Sequence, residues 1–154
     1  MLTPRMIRVG VRAADWRSAI VAAGELLVEA GAAEERYVEA MVRVACELGP
    51  YIVVAPGVAM PHARPEDGAK RTAISLVCLA DPVEFGNEEN DPVETVIGLV
   101  AVDHDTHIEI MQELATLLDM PHFVASIQKA ATPEGAHATV LRALEEVVRE
   151  GGVP

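Results

Sequence analysis

Apolar and polar residues alternate at the start of the chain and then recur at helical spacing. Residues 7–12 alternate between aliphatic residues and arginine or glycine, which is the pattern of a half-exposed strand. Between Asp15 and Gly31 the apolar residues recur every three or four positions, so we predict a helix over residues 15–29 with Asp15 as its N-cap. The apolar positions of this helix are Trp16, Ile20, Ala23 and Leu27.

A second helix and four strands are predicted in the middle of the chain. The helix covers residues 34–48 and is stopped by Gly49 and Pro50. Its expected apolar face consists of Tyr37, Met41, Val44 and Leu48. The strand-like runs are residues 51–55, 58–60, 72–79 and 95–102. The last two runs are apolar almost throughout, which is typical of central strands covered on both faces.

Three more helices are predicted in the last third of the chain. Thr106 and Glu109 fit the S/T-x-x-E capping box, which makes Thr106 the expected N-cap of the first. Its expected stripe is Ile108, Met111, Ala115 and Leu118. Pro121 begins the second, whose inward side chains are Phe123, Ile127 and Ala130.

The last helix is predicted from Thr132 and Pro133 to Gly151-Gly152. Its apolar positions are Val140, Leu144, Val147 and Val148. Helices before, between and after strands predict an α/β layered domain with a mixed β-sheet.

Composition limits the range of functions. A chain of 154 residues that is 51% apolar describes one domain, residues 1–154, with enough material for a full core. Its formal net charge of −12 repels nucleic acid and anionic membranes and attracts basic protein partners. No run approaches the length of a membrane span and the first residues lack a signal-peptide core, so we expect a soluble, cytoplasmic protein. Cys46 and Cys78 each fall within an apolar run, which predicts buried thiols in a reducing compartment.

The candidate chemistry centres on His62. This histidine follows an apolar strand and a Pro-Gly turn, and Pro61 restricts the backbone before it, so the side chain is presented at a rigid strand exit. Neutral imidazole is a good nucleophile near pH 7, and Arg64, two residues on, could receive a dianion. The first hypothesis is therefore a histidine that accepts a phosphoryl group and passes it on.

A second histidine, His107, begins a helix directly after a buried strand. Helix N-termini favour anions, and open α/β sheets place ligands at the ends of strands. His122 and His137 are interpreted as structural residues. A metal site is the alternative: His104 and Asp105 could join His107 and His62 as ligands. No H-E-x-x-H sequence or cysteine pair supports zinc, and no nucleotide-binding loop is present, so we expect neither metal nor cofactor.

The resemblance to a known family lies in residues 49–68, which read GPYIVVAPGVAMPHARPEDG. This run resembles the active-site signature of the mannitol/fructose-type enzyme IIA domains of the bacterial phosphoenolpyruvate-dependent sugar phosphotransferase system. Together with residues 90–93 (NDPV), it looks most like the ascorbate-specific branch. The resemblance extends over nearly the whole chain and includes the second histidine, in DTH at residues 105–107.

This resemblance implies a mixed sheet with helices on both faces and a phosphocarrier role. The family histidine that matches His62 takes phosphate from phospho-HPr and gives it to a cysteine of enzyme IIB, which serves a membrane IIC permease. The one that matches His107 lies beside the first and stabilises the phosphorylated state. Mannitol-type members have an upstream arginine without a match here; Arg43 and Arg64 are its substitutes, and Thr106 is a further candidate for phosphate binding.

Three functional classes remain open from the sequence. The first is a transport phosphocarrier for ascorbate or a related sugar. The second is a regulatory enzyme IIA-like protein that is phosphorylated but acts by binding other proteins, and the third is a metal-dependent hydrolase. The sequence also leaves the oligomeric state open, with a homodimer as one option.

Overall fold

The structure, a computed structural model, describes residues 2–150, without the side chain of the last. It contains five strands and five α-helices, with short 3₁₀ helices at Pro4–Met6, Gly49–Ile52 and Pro65–Asp67. The strands are β1 (Ile7–Val11), β2 (Val53–Ala55), β3 (Val58–Ala59), β4 (Ala73–Val83) and β5 (Val93–Val100). The helices are α1 (Trp16–Glu29), α2 (Glu35–Leu48), α3 (His104–Asp119), α4 (Phe123–Gln128) and α5 (Pro133–Glu150).

All five strands form one mixed sheet in the order β1-β4-β5-β3-β2. β1 is parallel to β4, and β4 is antiparallel to β5. β5 is also parallel to β3, with Val58 opposite Thr95, and β3 is antiparallel to β2. β4 and β5 therefore lie inside the sheet, as their nearly continuous apolar sequences predict.

Helices cover both faces of this sheet, which confirms the predicted fold class. One core lies between the sheet and α1 and α2, where Ile20, Leu27 and Met41 are buried. The other lies between the sheet and α3, α4 and α5, where Ile110 and Phe123 are buried. Among residues 2–150, no helix is both long enough and apolar enough to cross a membrane.

The predicted start and buried face of α3 are wrong. The N-cap is Asp103, whose Oδ1 accepts a hydrogen bond from the Thr106 N–H at 2.7 Å, so the capping box at Thr106 does not form. An N-cap side chain accepts a hydrogen bond from the backbone N–H two or three residues further on, and the Asp103 carboxylate makes this bond with Thr106. The helix buries Ile110, Leu114 and Leu117, whereas Ile108 is 41% exposed. Each residue turns the helix by about 100°, and three of the four predicted positions, Met111, Ala115 and Leu118, directly follow a buried residue, so the predicted face is rotated by about 100° from the buried one.

Three predictions for the end of α2 are also wrong. Leu48 is 41% exposed, and Tyr51 and Ile52 belong to a 3₁₀ helix instead of a strand, because Pro50 sets a helical φ at that point. Cys46 is exposed, because the buried face of α2 includes its neighbour Ala45 and the next side chain lies about 100° further round the helix. Cys78 is buried as predicted, and burial raises the pKa of its thiol to about 11.

The caps of α1 and α5 agree with the sequence. Asp15 accepts a hydrogen bond from the Ser18 N–H at 2.8 Å, and Thr132 Oγ1 accepts one from the Gly135 N–H at 3.0 Å. The predicted apolar face of α5 is only partly buried, because Val148 is exposed. The predicted end of α5, at residues 151–152, lies outside the described residues.

Candidate active site

His62 continues the pairing of β3 with β5. It lies opposite Leu99 in a parallel bridge, in the same register as the Val58 and Thr95 pair. The Leu99 N–H donates to the Pro61 carbonyl at 3.1 Å, and the Met60 N–H donates to the Ile52 carbonyl at 2.8 Å. The backbone on both sides of His62 is thus hydrogen-bonded to neighbouring strands or segments, at the strand exit that Pro61 predicts.

A hydrogen bond to the backbone selects the tautomer of His62. Its Nδ1 lies 3.0 Å from the Met60 carbonyl oxygen. A carbonyl oxygen can only accept, so Nδ1 must carry the proton of a neutral ring. Nε2 then holds the free lone pair and is the nitrogen that can attack an electrophile.

His107 lies beside His62, as the paired strand exits predict. The ring centroids are 5.0 Å apart, with an angle of 55° between the ring planes. His107 is in the second turn of α3, and its N–H already donates to the Asp103 carbonyl. Burial, followed by the nearby His62 and His104, lowers the pKa of His107 below its usual value of 6.5. The imidazole is therefore neutral at pH 7.

The N-terminus of α3 already carries a negative charge of its own. The hydrogen bond from the Thr106 N–H lowers the pKa of Asp103, so this carboxylate is ionised at the helix start. The sequence-based view that the helix end would help balance a phosphate is therefore weakened, because Asp103 uses part of that positive end. His107 becomes the main candidate for that role on α3.

The two candidate cations for phosphate binding, Arg64 and Arg43, have different environments. The Arg64 N–H donates to Asp67 Oδ2 at 3.0 Å, but within the described part of the chain its guanidinium forms no ion pair. Arg43 Nη2 lies 3.0 Å from Asp67 Oδ1, so this substitute for the missing arginine already has a carboxylate partner. Contact of Arg64 or Thr106 with a phosphate remains a prediction.

Tyr37 is a residue near the site that the sequence assigned only to packing. Its hydroxyl group contacts the backbone of Ala63, directly after His62, and of Leu99, opposite it. The available signal was a single tyrosine on the otherwise aliphatic buried face of α2, since a buried phenol needs a hydrogen-bond partner. That signal indicates a partner but not which one.

The metal alternative finds no support among the described side chains. Within residues 2–150, no three histidine, cysteine, aspartate or glutamate side chains lie close enough to hold a metal ion. His104, the ambiguous histidine, is exposed at the start of α3.

Comparison with known proteins places similar sequences in one family. Residues 1–143 match the family model of the phosphoenolpyruvate-dependent sugar phosphotransferase system, EIIA 2. The ascorbate-specific PTS system EIIA component of Salmonella typhimurium is 47% identical over 104 residues, which are 68% of each chain.

Solved structures agree with the fold. The solution structure of the mannitol-specific cryptic phosphotransferase enzyme IIA CmtB from Escherichia coli is 35% identical, covers 92% of this chain and 95% of its own, and gives a TM-score of 0.80. The enzyme IIAMTL chain in its complex with phosphorylated enzyme IIBMTL from Escherichia coli is 28% identical, with coverage of 92% and 97% and a TM-score of 0.81.

The family match covers nearly all of the described chain, and the structural neighbours share its mixed sheet. Members of this family are phosphotransferases that act through a phosphohistidine, and the paired histidines at the end of β3 and on α3 suit that chemistry. The chain belongs to the EIIA 2 family of the phosphoenolpyruvate-dependent sugar phosphotransferase system, and it is an enzyme IIA component that acts by phosphoryl transfer.

Proposed function

We propose that His62 is the phosphoryl acceptor, that phospho-HPr is the donor and that a cysteine of an enzyme IIB is the next acceptor. The observation that carries this proposal is the hydrogen bond between His62 Nδ1 and the Met60 carbonyl, which leaves Nε2 as the nucleophile. The enzyme IIA relative solved in complex with phosphorylated enzyme IIB supports the choice of the next acceptor.

The chemical step needs only a nucleophile, alignment and charge stabilisation. The lone pair of His62 Nε2 attacks the phosphorus while the donor's bond to phosphorus breaks and the donor keeps that electron pair. The Nδ1–H remains on the Met60 carbonyl, which disperses the positive charge that develops on the ring. His107, with its centroid 5.0 Å away, donates a hydrogen bond to the new phosphoryl oxygens. In the second step the enzyme IIB thiolate attacks the same phosphorus and His62 leaves as neutral imidazole.

The proposed transport substrate is ascorbate or a related sugar. The support is the 47% identity to an ascorbate-specific component, together with the run at residues 90–93. In this role residues 1–154 act as one enzyme IIA domain in the cytoplasm, upstream of an enzyme IIB and a membrane IIC permease. The alternative within the same family is a regulatory role. The transport role and the regulatory role differ in whether an enzyme IIB accepts the phosphoryl group.

Incubation with phosphoenolpyruvate, enzyme I and HPr, followed by intact mass measurement, tests the acceptor. We expect one added phosphoryl group that is labile to acid and stable to base, and its absence in the His62→Ala protein. His137→Ala is the matched control, because this half-buried histidine lies on α5. Phosphorylation that persists in His62→Ala would contradict the assignment.

A second measurement separates transport from regulation. The phosphorylated protein is mixed with an ascorbate-type enzyme IIB and with the same protein lacking its active cysteine. If the phosphoryl group passes to the intact enzyme IIB but not to the protein that lacks the cysteine, the transport role is supported. Retention of the phosphoryl group in both mixtures favours the regulatory role.

A further inference from the structure

The hydroxyl group of Tyr37 joins the His62 segment to the centre of the sheet. Tyr37 lies in the first turn of α2 and is 1% exposed. Its oxygen accepts a hydrogen bond from the Ala63 N–H at 3.0 Å and donates one to the Leu99 carbonyl at 2.8 Å. The Ala63 carbonyl is also close, at 3.2 Å, but a hydroxyl group has a single proton and the contact with Leu99 is shorter.

This hydroxyl group occupies the place of a sheet hydrogen bond. In a parallel ladder, a residue on one strand makes two hydrogen bonds to the strand beside it. Its N–H donates to the carbonyl of the residue before its partner, and its carbonyl accepts from the N–H of the residue after its partner. Leu99 makes the first bond directly, to the Pro61 carbonyl. For the second, the Tyr37 oxygen stands between the Leu99 carbonyl and the Ala63 N–H. His62 is therefore held to β5 directly on one side and through one phenol oxygen on the other.

Other contacts from α2 reach the same loop. Arg36 Nη1 donates to the Glu66 carbonyl at 3.0 Å, and Arg43 pairs with Asp67. These two contacts are exposed and lie further from His62 along the chain, whereas the Tyr37 contact is buried and adjacent to it. Burial raises the pKa of Tyr37 to about 12, so the hydroxyl group keeps its proton, and its role as a donor, at physiological pH.

We propose that Tyr37 is a positioning residue for phosphoryl transfer: its hydroxyl group fixes the backbone after His62 and thereby keeps the His62 Nδ1–H on the Met60 carbonyl. The proposal rests on the proposed role of His62 as acceptor. Without this oxygen the Ala63 N–H and the Leu99 carbonyl lose their partner, and the segment that carries His62 shifts or becomes mobile. The ring then samples the tautomer in which Nε2 carries the proton and cannot attack.

Tyr37→Phe tests this proposal, because it removes only the oxygen. Small misplacements of reacting groups cost up to about a hundredfold in rate, so we expect kcat for transfer from phospho-HPr to fall about 10- to 100-fold. The KM for phospho-HPr should change by less than about twofold, since the docking surface is untouched. Nitrogen-15 NMR of the ring should show one His62 tautomer in the wild-type protein and a mixture in the variant.

Ser75→Ala is the matched control for general destabilisation. Ser75 is also fully buried, and its hydroxyl group also donates to a backbone carbonyl, that of Ala23, at 2.8 Å. This variant should keep both kcat and the His62 tautomer. Unchanged kcat and tautomer in Tyr37→Phe would overturn the proposal, as would an equal loss of both in Ser75→Ala.

Two further readouts keep the test independent of folding and of the donor. In the wild-type protein the Ala63 amide should exchange with solvent as slowly as the Leu99 amide, and fast exchange at Ala63 would contradict the proposal even if Tyr37→Phe did not fold. If the wild-type protein accepts no phosphate from HPr, the proposed function fails. The tautomer measurement needs no donor and still decides whether Tyr37 positions the ring.

Discussion

His62 and His107 carry the same side chain, but their neighbours prepare them for different tasks. The Met60 carbonyl fixes the proton of His62 on Nδ1, which leaves a nucleophilic Nε2. His107 has no such backbone partner for its ring among the described residues, and burial lowers its pKa. A neutral ring that can reorient suits a residue whose proposed role is to donate a hydrogen bond to a phosphoryl group on His62.

The task of His107 can be separated from that of His62 by substitution. We predict that His107→Ala still folds and still accepts phosphate on His62, but holds or transfers it poorly. Loss of a hydrogen bond to a charged group costs about 1.5–3 kcal/mol, which is roughly ten- to a hundredfold in the exchange equilibrium with HPr. His107→Gln, which keeps a donor, should lose less. Equilibria and rates are measured by quenched-flow transfer from phospho-HPr, and wild-type behaviour of His107→Ala would reduce this residue to a structural one.

The protonation of His107 should depend on the state of His62. In the free protein the imidazole should titrate below pH 6.5, because burial and the neighbouring histidines disfavour its cation. A phosphoryl group on His62 brings about two negative charges, so the pKa of His107 should rise on phosphorylation. Proton NMR titration of both forms measures the two midpoints. Equal midpoints would show that His107 does not sense the phosphoryl group.

The same pKa has a consequence for stability. As pH falls below 6.5, the unfolded chain takes up the proton on this residue before the folded chain does. His107 therefore lowers the free energy of unfolding progressively as pH falls from 6.5 to its lower folded pKa; the full loss persists below that window, and there is no effect well above it. In urea titrations His107→Gln should lose this part of the pH dependence.

At the scale of elements, the sequence predicted local features better than long-range ones. The N-cap at Asp15 and the strand exit at Pro61 depend on neighbouring residues, and the structure contains both. The start of α3 was predicted wrongly because Thr106 and Glu109 fit a capping-box sequence, whereas the side chain that accepts the capping hydrogen bond is that of Asp103. The position of Leu99 opposite His62 has no local signal, because the two residues are far apart in the sequence and the register depends on the whole sheet.

The contact between α1 and the sheet depends on a glycine. Gly98 of β5 faces α1, where an added Cβ would collide with Ser75 Oγ and lie 3.2 Å from Ala23 Cβ. Overpacking of this kind costs about 1–3 kcal/mol, so Gly98→Ala should lower the free energy of unfolding by that amount. Chemical denaturation measures the loss. The double variant Gly98→Ala, Ser75→Ala should recover part of it, and strictly additive losses would show that Ser75 is not the obstacle.

At the scale of the whole molecule, acidic side chains outnumber basic ones. The chain carries 24 aspartates and glutamates against 12 lysines and arginines. Such a surface attracts basic partners and divalent cations in a diffuse way. A resident metal needs several ligands at one point, and residues 2–150 contain no such group.

Metal removal should therefore leave phosphoryl transfer unchanged. The purified protein should contain less than about 0.1 zinc per chain, because stable zinc sites use three or four protein ligands. Transfer is measured from purified phospho-HPr, so that no upstream enzyme meets the chelator. One tightly bound metal per chain, or loss of transfer after chelation, would restore the hydrolase alternative.

The fixed backbone around His62 determines how this protein reports its state to other proteins. Because Pro61 is bonded to β5 directly and Ala63 through the Tyr37 hydroxyl group, phosphorylation of the proposed acceptor, His62, should leave the surrounding chain little freedom to rearrange. The loaded and empty forms should then offer partners nearly the same contour. A phosphoryl donor and a phosphoryl acceptor can then use the same docking site in turn. Each would distinguish the phosphorylated from the unphosphorylated form by the charge at the centre of that site and not by a change of shape.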